Sequence, residues 1–449
     1  MSLNEINNNK FNFTEVSDDC IKCGKCKPVC TIFNINQDEA TSPRGFIDLL
    51  GAYKRDELEL DKTAKDIFES CFLCTNCVEV CPNDLPTDMI IEQVRNDIAK
   101  KYGIAWYKRA FFFLLRHRKI MDFMAKMGWV FQTCGIKINE KEEKATFRIN
   151  LPIQMIKDRA LPFAKRISFL NKYPEELPAT NKENITQENY TLPNKRVAIF
   201  IGCMANYSYT NIGDSLVSIL DKLGIDAFIP KKQLCCSAPA YFTGDFDTVD
   251  KLTKKNITYF ESFIDDVDAI IIPEATCSAM MNTDWEHYLH DQPEWLERAK
   301  KLKPKIHMAT KWLENNTNLN ELLKETGNKF DEVVTYHDPC HAKKMQGIRQ
   351  EPRNLISQNY EIKEMSDPDR CCGFGGVTMQ SEKYEFTKAA GAPKAAMIRD
   401  TGAQIVSAEC SACRMQITNS MHNANVEDVV FKNPIELIAK SLETKQDKN

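Results

Sequence analysis

Cysteine is the residue type on which the chemistry of this chain depends. The 449 residues include 18 cysteines, and all but Cys134 belong to clusters that recur along the sequence. Thiolates are ligands for zinc and for iron–sulfur clusters, so short repeated spacings indicate bound metal. A disulfide framework is typical of short secreted proteins, whereas this long chain begins with polar residues and no apolar signal segment. We therefore expect a cytoplasmic protein whose reduced thiols hold metal.

Two cysteine runs near the beginning of the chain have the spacing C-x2-C-x2-C-x3-C, and a proline follows the second run. In bacterial ferredoxins three thiolates of such a run bind one cubane, while the fourth binds the neighbouring cubane. The spacing therefore predicts two [4Fe–4S] clusters, the first on Cys20, Cys23, Cys26 and Cys81 and the second on Cys71, Cys74, Cys77 and Cys30. Structural zinc is the alternative, but zinc sites pair two CxxC units.

A different cluster lies in the C-terminal part, on the five thiols Cys340, Cys371, Cys372, Cys410 and Cys413. The adjacent pair precedes the glycine-rich turn Gly373–Gly376, where backbone can approach a bulky inorganic group. Open α/β sheets bind ligands at the ends of their strands, and these cysteines follow expected strands. Metal binding is favoured over the packing of small buried thiols. His337 and His341 flank Cys340, and we expect them to hydrogen-bond backbone or cluster sulfur rather than to act in catalysis.

An incomplete copy of this cluster precedes it, on Cys203, Cys235, Cys236 and Cys277. Met280 stands where the CxxC would be completed, and Ser237 replaces the glycine that follows the adjacent pair. Four thiols can hold a cluster, but the copy can also be a fold that has lost its metal. The residues leave both interpretations open.

The elements that position these cysteines alternate between strands and helices. Apolar, β-branched runs predict strands at 196–202, 226–230, 268–273, 332–338, 360–365 and 403–409. Helical periodicity lies between them, as in SLVSILDKLG and in the stretch from Asp247 to Phe263. Such alternation indicates parallel sheets with crossover helices. Because the cysteines recur at matching places, we expect two related α/β domains.

The ferredoxin runs are about 40 residues apart, and helices are expected between them from Gly45 to Tyr53 and from Lys62 to Ser70. A compact two-cluster ferredoxin has no room for these helices, so a helical ferredoxin domain is expected. Residues 171–195 hold three prolines and few apolar residues, which is typical of a linker or boundary loop. The expected organisation is a multidomain chain with a helical ferredoxin-like domain (1–103), a helical segment and linker (104–195), and two cysteine-rich α/β domains (196–330 and 331–449).

This arrangement resembles a family of iron–sulfur subunits with "CCG" cysteine-rich domains. Its members include the C subunit of anaerobic glycerol-3-phosphate dehydrogenase, the iron–sulfur subunit of glycolate oxidase and the D subunit of heterodisulfide reductase. The likeness extends from CIKCGKCKPVC to ECSACRMQI. It implies a non-cubane [4Fe–4S] assembly on the five cysteines of the second domain. It does not fix the substrate, because all members share the cysteine plan.

The sequence has no GxGxxG opening a helix, no P-loop and no convincing nucleophile–base constellation. One-electron carriers without a hydride acceptor cannot oxidise an alcohol by themselves, so a flavin-containing (FAD) partner subunit is expected. The favoured function is that of an electron-transfer subunit of a flavin-dependent dehydrogenase. It would pass electrons from glycolate, lactate or glycerol 3-phosphate toward quinone or a membrane subunit. The alternative is a heterodisulfide-reductase-like subunit that acts on a disulfide at the second domain's cluster.

Charge excludes one class of partner and favours another. A net charge of −4 argues against nucleic-acid binding through bulk charge. Residues 100–119, in contrast, hold seven basic residues and no acidic one, around the apolar core AFFFLL. This composition is typical of a helix at a membrane surface, and a helix packed on the ferredoxin domain is the alternative. Peripheral attachment to the inner face of the cell membrane is the expectation.

Overall fold

The computed structural model describes residues 13–149, 159–181, 192 and 194–443. Its N-terminal part is helical and two α/β units follow, as the cysteine pattern predicts. The N-terminal α-helices are Phe13–Asp19, Cys26–Val29, Phe33–Asn36, Pro43–Lys54, Lys62–Phe68, Asn76–Glu79 and Thr87–Tyr102. Both helices expected between the ferredoxin runs are therefore confirmed. Ser42 and Asp61 cap them by accepting hydrogen bonds from the N–H groups of Gly45 and Ala64.

The next segment contains two longer helices, Trp106–Arg116 and Arg118–Gly135. A small antiparallel sheet follows them, in the order β1 (Ile136–Asn139), β2 (Lys144–Phe147) and β3 (Ala160–Leu161). Helix alone was expected here, because strands of two to four residues are too short to show alternation. No helix within the described ranges is long and apolar enough to cross a membrane.

The first α/β unit is built on a five-stranded sheet with the strand order β4-β6-β5-β7-β8. Its strands are β4 (Glu176–Leu177), β5 (Arg196–Ile199), β6 (Asp226–Phe228), β7 (Ala269–Ile272) and β8 (Ile306–Met308). All neighbours are parallel except β4, which pairs antiparallel with β6. The strands expected at 196–202, 226–230 and 268–273 are confirmed. The expected linker 171–195 supplies β4, and β8 has no counterpart among the expected strands because it is only three residues long.

Helices cover both faces of this sheet, so its central strands are apolar throughout. Along β5, Val197 and Ile199 face one core while Ala198 faces the other. The α-helices from residue 169 to 325 are Phe169–Lys172, Cys203–Tyr207, Thr210–Lys222, Ala238–Tyr241, Phe246–Glu261, Ala275–Ala279, Trp285–Tyr288, Pro293–Leu302, Ala309–Asn316 and Leu319–Glu325. The helices expected from SLVSILDKLG and from Asp247 to Phe263 are among them.

The second α/β unit has three parallel strands in the order β11-β10-β9. They are β9 (Val334–Tyr336), β10 (Ile405–Ser407) and β11 (Val430–Lys432). Its α-helices are Cys340–Gln346, Gln350–Ser357, Gly376–Glu382, Tyr384–Thr401, Ser411–Asn423 and Pro434–Ser441. The expected strands at 332–338 and 403–409 are confirmed, whereas β11 was not expected.

The strand expected at 360–365 is much shorter than predicted, although it lies beside the expected neighbour. Only Ile362 pairs, in a parallel bridge with Val334 of β9. The chain then turns away, and the carbonyl of Pro368 accepts a hydrogen bond from the Asp338 N–H. This bridge occupies the position that β6 holds beside β5 in the first unit. The two units therefore share one strand order, which confirms the repeat.

The two units also share apolar core. Helix Pro434–Ser441 of the second unit packs against helix Thr210–Lys222 of the first, and Ile435 and Ile438 join the core that contains Leu216. The second unit thus completes part of its apolar core against its neighbour.

A glycine marks where the N-terminal domain meets the first unit. Gly244 has a φ of +86°, and a Cβ at this position would lie 2.4 Å from the Arg95 carbonyl oxygen. The Arg95 side chain in turn donates to the carbonyls of Phe242 (2.9 Å) and Cys71 (2.7 Å). Close backbone approach here requires glycine.

We expect Gly244→Ala to lower the thermal midpoint more than Gly327→Ala. Gly327 has a φ of +63° with nothing within 4 Å of its Cβ position, so both variants carry the left-handed backbone cost of about 1 kcal/mol. Only Gly244→Ala adds overpacking, of about 1–3 kcal/mol, at the domain contact. Circular-dichroism melts measure the difference, and equal shifts in the two variants would show that this contact is not tight.

Candidate functional site

Two neighbouring clefts enclose the eight cysteines of the ferredoxin runs. One is lined by Cys20, Cys23, Cys26 and Cys81. The other is lined by Cys30, Cys71, Cys74 and Cys77. The fourth cysteine of each run thus lies in the cleft of the other run, which is the grouping that the spacing predicts. Cys77 also lines the first cleft, so the two sets are adjacent.

The same backbone geometry curls each run around its cleft. Lys22 and Gly24 in the first run and Leu73 and Thr75 in the second have left-handed φ values at matching positions. These turns direct backbone N–H groups inward, and the Leu73 N–H lies 3.4 Å from the Cys71 sulfur. Burial raises the pKa of Cys71 to about 12, so this thiol becomes a thiolate only when a metal displaces its proton. Curled thiols with inward N–H groups fit [4Fe–4S] clusters.

The five cysteines of the second unit converge where β9 and β10 end. The sulfurs of Cys372 and Cys413 are 3.4 Å apart, and the Gly373 N–H lies 3.4 Å from the Cys371 sulfur. A hydrogen bond from Cys371 lowers the pKa of Cys372 to about 6, and one from Cys413 lowers the pKa of Cys410 to about 6. Neighbouring thiols therefore stabilise thiolates here, as metal binding requires.

His337 presents a nitrogen to this thiol group. Its Nδ1 lies 3.0 Å from the Pro368 carbonyl oxygen, while its buried Nε2 has no hydrogen-bond partner in the described structure. A ring nitrogen of His337 and the sulfurs of Cys372 and Cys413 all lie within 4.8 Å of one another. Burial lowers the pKa of His337 to about 3, so the ring is neutral. An orphaned nitrogen beside vicinal thiols fits a bound iron–sulfur group, which would supply one-electron transfer.

The backbone contact expected for His337 is present, whereas His341 contacts a cysteine thiol and not backbone. The Nδ1 atom of His341 lies 3.5 Å from the Cys340 sulfur, and its ring stacks on Phe242 of the first unit with centroids 5.4 Å apart. Thr276, also from the first unit, places its hydroxyl 3.4 Å from the Cys410 sulfur. Sequence reasoning missed Thr276, although its position just before Cys277 was a usable signal.

The first unit keeps the same geometry with one thiol fewer. The four thiols form a continuous series in which each one shifts the pKa of the next, in the order Cys203, Cys235, Cys236 and Cys277. Met280, which stands where the CxxC would be completed, is fully buried in the apolar core. Ser237 has a φ of +83°, close to the +88° of Gly373, and its hydroxyl lies 3.1 Å from the Thr253 hydroxyl. The departure at Ser237 therefore leaves the turn after the adjacent cysteines unchanged.

Lys344 lies at the junction between the second ferredoxin set and the second unit. The thiols of Cys74 and Cys371 approach each other across this junction closely enough to shift each other's pKa. The side chain of Lys344 is only 3% exposed, donates to Asn76 and pairs with Asp369 at 3.2 Å. Burial lowers its pKa, but the neighbouring Cys74 and Cys340 outweigh burial and raise it above its ordinary value. Lys344 follows Cys340 by four residues on one helix, a spacing that could have revealed it.

The comparisons with known proteins agree with this architecture. Residues 16–85 match the 4Fe-4S dicluster domain family, and residues 197–282 and 334–418 both match the cysteine-rich CCG domain family. A crystal structure of a hypothetical protein from Helicobacter pylori shares the fold with a TM-score of 0.51 and 11% identity, covering 100% of this chain and 78% of that one.

Several curated proteins are similar in sequence. The probable glycolate oxidase iron–sulfur subunit of Bacillus subtilis is 29% identical over 80% of this chain and 79% of its own length. Lactate utilization protein A of Halalkalibacterium halodurans is 31% identical over 49% of this chain and 88% of its own length. One subunit of the CoM/CoB fumarate reductase of Methanothermobacter marburgensis is 26% identical over 93% of this chain and 71% of its own length.

A dicluster ferredoxin domain joined to two cysteine-rich α/β domains defines a class of iron–sulfur protein. The chain belongs to the CCG-domain family of iron–sulfur subunits, whose domains it carries in this order. The resemblance and the fold class expected from the cysteine motifs are confirmed.

We expect Lys344→Gln to lower the reduction potentials of the clusters on either side of the junction. Removing a buried positive charge disfavours an added electron, and about 59 mV corresponds to a tenfold change in a one-electron equilibrium. A shift of tens of millivolts is expected in an EPR-monitored redox titration. Lys343→Gln is the matched control, because Lys343 pairs with Asp369 and Glu79 instead of lying among the cysteines. Equal potentials in wild type and Lys344→Gln would contradict this role.

Proposed function

We propose that this chain is the electron-transfer subunit of a flavin-dependent dehydrogenase complex that oxidises a 2-hydroxy acid of the glycolate or lactate type. The observation that carries the proposal is the continuity of the cysteine sets. The two ferredoxin sets are adjacent at Cys77, and the thiol of Cys74 in the second set lies beside the thiol of Cys371 in the five-thiol set. Contiguous buried sulfurs suit the transfer of single electrons between clusters.

Two arguments favour this substrate class: the names of the relatives and the number of electrons that the oxidation releases. A 2-hydroxy acid becomes a 2-oxo acid by giving up two electrons and two protons. A flavin can accept both electrons with one proton as a hydride, while the hydroxyl proton leaves to a base or to water, and the reduced flavin can then release single electrons. The chain would therefore depend on an FAD-bearing partner subunit. Relatives named for glycolate oxidase and lactate utilization favour a 2-hydroxy acid over glycerol 3-phosphate.

We assign the cofactors as two cubane clusters and a further, non-cubane [4Fe–4S] cluster. The first cubane belongs to Cys20, Cys23, Cys26 and Cys81, the second to Cys71, Cys74, Cys77 and Cys30, and the non-cubane cluster to Cys340, Cys371, Cys372, Cys410 and Cys413. The turn at Ser237 and the continuous series of neighbouring thiols favour a cluster in the first unit as well.

A second candidate function is reduction or formation of a disulfide at the five-thiol set. It is favoured by the likeness to a component of the CoM/CoB fumarate reductase over nearly the whole chain. The two candidates differ in whether a flavin partner and a hydroxy acid are required, so one experiment separates them.

We expect glycolate or lactate to reduce the clusters of the anaerobically purified complex only when the flavin subunit is present. Cys413→Ser should abolish onward electron flow to a soluble quinone while the two cubane EPR signals remain, and exposed Cys134→Ser should behave as wild type. The three assigned clusters predict about 12 irons per chain, four in each, and a filled first unit adds about four more. Disulfide turnover without flavin would favour the second candidate, and zinc in place of iron would exclude both.

Attachment to the membrane surface is part of the same proposal, with a different helix from the one expected. Phe112 and Leu115 of the expected segment pack in the core of the first unit, and Lys108 is buried and paired with Glu382. Helix Arg118–Gly135 instead exposes an apolar stripe at helical spacing, Ile120, Phe123, Met124, Met127, Val130 and Phe131. Exposed Lys119 and Lys126 provide charge that complements anionic lipid.

Phe123→Glu should reduce co-sedimentation with phosphatidylglycerol vesicles several-fold, because it places a charge in the apolar stripe. Ser357→Glu adds the same charge at an exposed position of the second unit and should bind as wild type. Binding that is equally strong in both variants would exclude this stripe as the membrane-binding surface.

A further inference from the structure

A cavity of about 470 Å³, the junction cavity, lies between the ferredoxin domain and the second unit. Its volume is within the range of about 300–1,000 Å³ found for small-molecule sites. Thr31 and Asn76, which adjoin Cys30 and Cys77 in the sequence, line it from the ferredoxin domain. Arg370, which directly precedes the adjacent cysteines of the second unit, lines it as well. A molecule in this cavity would therefore lie beside the loops of two cysteine sets.

Two charged side chains of the junction cavity have no ion pair within the described ranges. The guanidinium of half-buried Arg370 has no hydrogen-bond partner among these residues, although it lines the cavity. The carboxylate of half-buried Asp367 accepts the backbone N–H of Arg370 at 2.9 Å. The other basic residue of the wall, Lys344, is already paired with Asp369 at 3.2 Å. A ligand with one acceptor for Arg370 and one donor for Asp367 would therefore complement the cavity.

The rest of the wall suits a flat, largely apolar molecule. Apolar side chains line the cavity from both domains, and they are Val29, Ile35, Val80, Ala389, Ala390 and Pro393. The last three belong to helix Tyr384–Thr401, whose small side chains leave a smooth face. Glycolate and lactate carry a suitable donor and acceptor, but they have no ring to cover this apolar surface.

The pyrimidine edge of a flavin combines all these features. Its N3–H is a hydrogen-bond donor between two carbonyl acceptors, and the ring system is planar with an apolar dimethylbenzene end. Reduction of the ring builds negative charge at N1 and the C2 carbonyl, which a nearby cation stabilises. The unpaired Arg370 supplies such a cation, and Asp367 supplies an acceptor for N3–H.

We infer that the junction cavity binds the ring of a flavin, with its C2 carbonyl on Arg370 and its N3–H on Asp367. The reduced ring would give two electrons, one at a time, to the iron–sulfur clusters of the neighbouring cysteine sets and two protons to water. No bond to the protein forms. The inference rests on the proposed function and adds the place where a flavin meets this chain. The ring belongs either to the partner's FAD or to a diffusible flavin.

The test is equilibrium dialysis of lumiflavin, the bare flavin ring, against the full chain purified anaerobically. 3-Methyllumiflavin lacks the N3–H and should bind about tenfold more weakly, because it leaves Asp367 without a donor. Arg370→Gln should weaken the binding of lumiflavin by about tenfold, because a charged hydrogen bond is lost. Arg399→Gln is the matched control, since Arg399 is exposed and paired with Asp400, and it should bind as wild type.

A second pair of variants tests the cavity itself. Ala389→Trp fills the cavity and should abolish binding, whereas Ala392→Trp places the same ring at an exposed position of the same helix outside it. Equal affinity of the wild-type chain for the two flavins would overturn the inference, and so would unchanged binding in Arg370→Gln and Ala389→Trp. The comparison of the two flavins uses the wild-type chain alone, so it decides the matter even if a variant melts early.

The same dialysis on the assembled complex identifies the source of the ring. If the partner's FAD occupies the junction cavity, lumiflavin should bind the isolated chain and not the complex. If the flavin is diffusible, lumiflavin should bind both with the same preference over 3-methyllumiflavin. Binding of lumiflavin requires neither hydroxy acid nor quinone, so failure of this inference is distinguishable from failure of the proposed function.

Discussion

The contact between Cys74 and Cys371 is the constraint on which the arrangement of the domains depends. Where two cysteine sets on different domains meet, water is excluded from both surfaces. Lys344 is buried at this contact, and Asn76 and Asp369 are its partners there. The glycine-rich turn allows the close approach, since a Cβ on Gly375 would lie 2.9 Å from Phe72 of the ferredoxin domain. The turn therefore serves domain packing as well as the site that it follows. Close to the same turn, Arg95 ties the ferredoxin domain to the first unit by donating to the Phe242 carbonyl.

The two α/β units show how a duplicated fold can become asymmetric without losing its geometry. The strand order and the left-handed turn after the adjacent cysteines are common to both units, although serine holds the turn in one and glycine in the other. The first unit has exchanged one thiol for Met280, and it supplies Thr276 and Phe242 to the surroundings of the second unit's thiols. The second unit has the smaller sheet and completes its core on its neighbour. Each unit is thus built to depend on the other.

The helices after the ferredoxin domain divide two tasks between them. Helix Trp106–Arg116 contributes Phe112 and Leu115 to the core of the first unit and fixes the position of the next helix. Helix Arg118–Gly135 has none of its side chains buried and turns an apolar stripe outward. Its first turn lies beside Cys203 and Cys235, because Arg118 and Met121 line the same cleft as these two thiols. This proximity links the proposed membrane attachment to electron transfer.

The sequence by itself determined the cysteine grouping, the helical ferredoxin domain, the α/β repeat and most of its strands, because metal-ligand spacing and hydrophobic periodicity are local patterns. Short strands such as β8 and β11 were not predicted, since three residues carry too little periodicity. At 360–365, where a strand was expected, only Ile362 pairs, in a single bridge. Only the tertiary structure decided that Lys344 and Thr276 reach cysteines of other elements. It also decided that Phe112 and Leu115 of AFFFLL pack inward while the following helix exposes its apolar stripe. The reason is physical: an amphipathic helix buries whichever face its neighbours cover, and the neighbours here, such as helix Phe246–Glu261, are distant in the chain.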